Sequence, residues 1–270
     1  MRKRPNTRLV ATATVLVVAL IGAGALLWTA TRGGGGIKAT GKPCRVRTYG
    51  LDLDQARNAT TIAAVGKRLG MPDHAVSIAL ATAYLESGLR NLAHGDRDSL
   101  GLLQQRPSQG WGTPAQIMTP HYAAAAFYRR LARVPGWEVI PVTDAAQHVQ
   151  RSALPNGYAH FEPEARALAE ALTGEVSAGF ACRVTFPAGA PAVGLQEAMA
   201  TEVGLTSLSV PLTPTKGWTV SSWLVGHAAD FKIATVSFGG QQWTASTGQW
   251  NADPAAGSEV QLAVTATGSK

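Results

Sequence analysis

Apolar positions recur at helical spacing over much of the chain. Asp54 to Leu69 sets Ile62, Val65 and Leu69 on one face and ends at Gly70, a common C-terminal cap, so a helix is predicted there. Pro72 to Leu85 predicts a second, with proline in the first turn, Asp73 beside it and no internal breaker. Its apolar stripe, Val76, Ala79, Leu80 and Ala83, continues at the same spacing onto Glu86, so a carboxylate extends a core-facing stripe. A third helix is expected from Thr119 as N-cap and Pro120 to about Val134, burying Ala123, Phe127 and Leu131. Thr143 to about Ser152 and Glu162 to Gly174 read as two more, while Asn91 to Leu100 is polar and irregular. No strand pattern of comparable strength occurs between Cys44 and Cys182.

Two stretches depart from this pattern. Leu9 to Ala30 is an uncharged, largely apolar run of 22 residues, long enough to span a hydrocarbon core as a helix. Beyond Cys182 the prolines 187, 191, 211 and 214 punctuate a lead-in rich in Ala, Gly and Thr. Trp218 to Phe231 then reads as a helix, Ile233 to Phe238 and Gln241 to Ala245 as strands around Gly239-Gly240, and Glu259 to Thr265 as a last strand. The expected fold class is mainly α, with a helical domain after a single N-terminal transmembrane helix and a small α+β accessory domain at the end. The expected segments are a basic tail (1–8), an anchor (9–30), a Gly-rich linker (31–50), the helical domain (51–182), a second linker (183–216) and the accessory domain (217–270).

Charge refines the topology. The formal net charge of +7 is concentrated before Cys44, where Arg2, Lys3, Arg4 and Arg8 precede the apolar run and Arg32, Lys38 and Lys42 follow it. From Cys44 to Cys182 there are 13 basic and 12 acidic residues, so the imbalance marks an anchor, and no nucleic-acid partner is expected. A basic cluster before the span keeps the N-terminus in the cytoplasm and exports the rest. Secretion after cleavage near Ala23-Gly24-Ala25 is the alternative; continuation of the apolar run through Trp28 favours the uncleaved anchor. One span forms no transport pathway, and Gly33 to Gly36 reads as a flexible tether.

The candidate chemistry centres on Glu86. Partial burial and a helix C-terminus expected near Gly88 both disfavour its anion, which would make it a proton donor near neutral pH. Glycosidic cleavage needs such a donor, because the leaving sugar oxygen is protonated as its bond breaks. Snorkelling to water or pairing with Arg90 is the plainer use of such a residue. The surrounding series, Glu86-Ser87, Gly95-Asp96-Arg97 and Gly101-Leu102-Leu103-Gln104, resembles the motifs of goose-type lysozymes and soluble lytic transglycosylases, over about residues 50–175. The likeness extends to wall-active domains of secreted actinobacterial proteins.

This resemblance implies a lysozyme-like helical fold with Glu86 as acid/base on peptidoglycan glycan strands. It also implies a substrate cleft shaped by Ser87, by Gly101, whose backbone would lie close to the sugar, and by Gln104, with Gln105 as second choice. Trp111, in a Gly-bounded loop, suits either stacking on a sugar face or core packing. Tyr158 resembles the late tyrosine that lines the transglycosylase cleft. Hydrolysis would need a second carboxylate. Asp96 matches the aspartate of the Gly-Asp-Arg pattern, Arg106 stands where the family often has another Asp, and Asp98 could substitute for it. A transglycosylase needs only one Glu, because the muramic acid's own hydroxyl attacks to give a 1,6-anhydro product, and the departure at Arg106 favours that outcome.

Cys44 and Cys182 flank the motif-bearing region, and in an exported chain they are expected to form a disulfide; two free buried thiols are the alternative. The six histidines show no metal-ligand spacing, so no metal or cofactor is expected, although His94 adjoins Gly95-Asp96. Trp218, Trp223, Trp243 and Trp250 offer either a glycan platform or core packing. The expected protein cleaves peptidoglycan at the outer membrane face, with an envelope-spanning machine as a possible partner. A non-catalytic peptidoglycan-binding or scaffold protein with the same cleft is the alternative.

Overall fold

The computed structural model describes residues 42–152, 154, 156–186 and 193–265. They fall within one compact unit, residues 39–270. Two short strands open it, β1 (Cys44–Val46) and β2 (Tyr49–Leu51). Helix α1 (Leu53–Arg68) starts from a capping box in which Asp52 accepts from the Gln55 N–H and the Gln55 side chain accepts from the Asp52 N–H. Helix α2 (Asp73–Ser87) follows Pro72 and stops at Gly88, whose φ of 63° is left-handed. Every residue from Ala75 to Tyr84 is buried, as a helix apolar on all faces must be. α2 is therefore the central rod of the fold. Around it lie α1, α4 (Pro120–Leu131), α5 (Val142–Gln150) and α6 (Glu162–Leu172), with α3 (Pro114–Ile117) packed on α4.

A two-residue strand, β3 (Ala181–Cys182), pairs antiparallel with β1, so that Cys44 and Cys182 stand opposite each other with Cα atoms 3.9 Å apart and form a disulfide. The crosslink spans 138 residues of sequence, and in the chain-entropy account it stabilises the fold by about 5 kcal/mol. Helix α7 (Leu195–Ala198) runs into a π-helical turn, Met199–Val203. Then come α8 (Pro214–Gly226), α9 (Ala228–Phe231) and the strands β4 (Ile233–Phe238), β5 (Gln241–Thr244), β6 (Gln249–Ala252) and β7 (Gln261–Val264). These strands form one antiparallel sheet in the order β6-β5-β4-β7.

The fold class departs from the expected one. Two small antiparallel sheets accompany the helices, so the described residues are not mainly α. Strands of two or three residues are too short to display an alternating pattern, which is why β1 to β3 are not legible in the sequence; β6 is a further strand not expected from it. The segment beyond Cys182 packs directly on the helices before it, α8 lying against α1 and α6. Gly226 allows that approach: a Cβ there would stand 2.4 Å from Thr60 Oγ1. Thr61 Oγ1 and Trp223 Nε1 both donate to Glu202 Oε2 at 2.7 Å, tying α1, α8 and the π-helical turn together.

The C-terminal tryptophans make no platform. Trp218, Trp223 and Trp243 are buried, Trp243 Nε1 donates to Cys182 O at 3.0 Å, and the partly buried Trp250 donates to Phe180 O at 2.8 Å. Among the described residues no helix is long and apolar enough to cross a membrane, and the expected span at 9–30 and its Gly33–Gly36 tether lie outside them.

Candidate active site

Glu86 occupies the last turn of α2, half-buried, and faces a cleft of about 1100 Å³. The rod ends there because Gly88 and then Leu89, at φ 61°, turn the chain into the left-handed region. α1 holds this turn from below: Gln55 Nε2 donates to Gly88 O at 3.0 Å and Asn58 Nδ2 to Leu89 O at 2.8 Å. These bonds from α1 fix the helix end that carries Glu86.

Tyr158 holds the carboxylate itself, its Oη donating to Glu86 Oε1 at 2.8 Å; Gln150, at the end of α5, lines the same cleft with its Nε2 donating to Leu103 O at 2.8 Å. Burial raises the Glu86 pKa above its ordinary value, and the hydrogen bond from Tyr158, with the nearby amide of Gln150, offsets part of that rise. Tyr158 is fully buried, so it positions and polarises Glu86 instead of lining the cleft. Its own phenol is pushed up, first by desolvation and then by the charge of Glu86.

The expected substrate residues divide. Ser87 Oγ lies 2.7 Å from Leu102 O and 3.1 Å from Ala83 O and accepts from the Arg90 N–H at 3.1 Å, pinning the motif loop to α2. Gly101, at φ 78°, is buried against α3, where a Cβ would meet Ile117 O at 2.7 Å; packing, rather than approach to a sugar, requires glycine there. Gln104 lines the cleft from a left-handed backbone with φ 44°. Gln105 is buried and donates to Ala123 O at 2.9 Å, so it serves the core. Trp111 is buried except for 7% of its surface, lines the cleft at its edge, and carries the Arg130 guanidinium 3.5 Å from its ring centroid. Its stacking partner in this structure is thus an arginine.

The second carboxylates are also separated. Asp96 lines the same cleft with its side chain 93% exposed, 3.9 Å from Arg97 Nε. Asp98 accepts from the Ser108 N–H at 2.8 Å and from Arg106 Nε at 2.7 Å, and these bonds hold its carboxyl well below the usual range. So weak a base, already engaged by Arg106, is poorly placed to serve as a second proton acceptor. Sequence reasoning missed Gln150, and it missed the arginines 130, 133 and 151 that enter the cleft. The i, i+3 spacing of Arg130 and Arg133 at the end of α4 was an available signal; Arg151 carried none.

The arrangement supplies a carboxyl of raised pKa, able to donate a proton, in a solvent-open cleft with one solvated carboxylate and a cationic lining. Among the described residues no group of three or more His, Cys, Asp or Glu could hold a metal ion. Comparison with known proteins finds no matching family model and no matching curated protein.

Proposed function

We propose that the protein cleaves glycan strands of peptidoglycan, with Glu86 as general acid and then general base. One observation carries the reading: the carboxyl of Glu86, its pKa raised by burial, is held by Tyr158 at the wall of a cleft of about 1100 Å³ that Gln150 also lines. The motif series around Glu86 supports the same substrate class. Glu86 gives its proton to the oxygen bridging two sugars as the C1–O bond breaks, and its carboxylate then takes the proton of the hydroxyl that attacks C1. When that hydroxyl is the C6–OH of the same muramic residue, a 1,6-anhydro ring closes and one carboxylate suffices. When it is water, Asp96 is the carboxylate available to activate it. The engagement of Asp98 by Arg106 favours the first route. The Cys44–Cys182 disulfide supports action in an oxidising, extracytoplasmic setting.

Purified peptidoglycan incubated with the full-length protein, and in parallel with Glu86→Gln, tests this by mass spectrometry of the soluble fragments. Anhydro-muramic ends made only by the unmutated protein are expected. Reducing ends instead would assign hydrolysis and implicate Asp96, and substantial turnover by Glu86→Gln would sink the assignment. The same engagement of Asp98 leaves a second reading, a non-cleaving wall-binding protein, which predicts binding with no fragments from either protein.

A further inference from the structure

The cleft beside Glu86 is lined by the arginines 97, 106, 130, 133 and 151, against the two carboxylates Glu86 and Asp96. Arg97 neighbours Asp96, and Arg106 is bound to Asp98. The other three come from different places: Arg130 from α4, Arg133 from the turn after it, and Arg151 from the left-handed cap of α5. None of the three has a carboxylate partner among the described residues. Arg130 is nonetheless held firmly, stacked on Trp111 and donating from Nη2 to Gln109 O at 2.8 Å. Burial, followed by the charges of Arg133 and Arg151, lowers its pKa. Like charges held together without a counter-ion are an electrostatic cost to the folded protein, and an anion bound among them would relieve it.

We propose that Arg130, Arg133 and Arg151, with Trp111 as the platform for Arg130, form an oxyanion subsite of the Glu86 cleft that takes a carboxylate or phosphate carried on the bound glycan. This rests on the reading of the cleft as a glycan site and adds to it a requirement for a charged substituent. Guanidinium groups match both oxyanions through paired N–H donors, so the source of the charge is a matter for experiment. A bare neutral glycan would make the sugar contacts and leave the three cations uncompensated.

The test uses full-length protein carrying Glu86→Gln, so that binding is measured without turnover, and titrates it calorimetrically with three soluble glycans. One bears stem peptides with free carboxylates, one bears the same stems fully amidated, and one lacks stems but carries a sugar phosphate. Arg133→Gln and Arg151→Gln are introduced together, since both residues are exposed and Arg130 keeps its stack. Arg45→Gln with Arg68→Gln, two exposed arginines outside the cleft, controls for net charge. The cleft pair is expected to weaken binding of at least one anionic glycan by about tenfold or more and to flatten its salt dependence, with the amidated glycan and the control pair unaffected. Preference for the free-stem or the phosphorylated glycan identifies the source. Equal binding of all three glycans, no loss in the cleft pair, or an equal loss in the control pair would each overturn the subsite. Fragments released by Glu86→Gln would defeat the catalytic reading, whereas unchanged binding in the cleft pair without fragments would defeat the subsite alone.

Discussion

Replacing Tyr158 by Phe isolates the contact that tunes Glu86. The two side chains differ by one hydroxyl, and that hydroxyl is buried and donates to Glu86 Oε1 at 2.8 Å. A hydrogen bond to a charged group contributes about 1.5–3 kcal/mol, and one pKa unit corresponds to about 1.4 kcal/mol. Water reaching the half-buried carboxylate would recover part of this, so the Glu86 pKa is expected to rise by about one unit. The sign follows from the donor: Tyr158 favours the anion, so its loss favours the protonated acid. The alkaline limb of the cleavage rate, which reports loss of the Glu86 proton, therefore moves to higher pH by about the same unit. The maximal rate falls, because the carboxyl is less firmly aimed. The pH profile of fragment release, with a carbon-detected NMR titration of the Glu86 carboxyl as an independent readout, measures both effects. An unchanged or lowered Glu86 pKa in Tyr158→Phe would refute the assignment of Tyr158 as the group that stabilises the anion.

Two further predictions concern stability. Because folding raises the Glu86 pKa, this residue costs stability once pH rises through that folded value and does not do so below its ordinary value of 4.5. Glu86→Gln should accordingly raise the melting temperature at pH 8 and change it little at pH 4, as thermal denaturation at the two values would show; an equal shift at both would exclude the linkage. Glu175 is pushed up to about 7, chiefly by its hydrogen bond with Asp73, so the stability it contributes is complete below pH 4.5 and is lost as pH rises toward 7. Glu175→Gln should flatten that part of the stability profile, and denaturant titrations at pH 4.5, 6 and 8 would reveal an unflattened curve if the pairing were absent.

Much of the fold around Glu86 was legible in the chain. The continuous apolar surface of α2 and the left-handed Gly88 fix a buried rod with a carboxylate at its end, because side-chain spacing and a glycine stop act locally. Thr119-Pro120 marked the start of α4 in the same way. The equivalent pair Thr213-Pro214 starts α8, yet it was read as linker because prolines crowd that stretch. Cys44 and Cys182, two cysteines that flank the motif-bearing region, were legible as a pair because each has only the other to bond to.

Only the tertiary structure decided what required groups distant in sequence to meet. Whether Gln104 or Gln105 faced the cleft depended on the left-handed turn at Gln104, which sends the next side chain to Ala123. Tyr158 became a partner of Glu86 rather than of substrate because α2 and the 3-10 turn Gly157–Phe161 pack together across 72 residues of sequence. The tryptophans of the last segment went to the core because α8 and the four-stranded sheet had apolar faces to cover, and α1, α6 and the disulfide-linked strands lay beside them. The convergence of Arg130, Arg133 and Arg151 has the same origin: local pattern places each residue on its element, and only the packing of α4 against α5 brings their charges to one cleft.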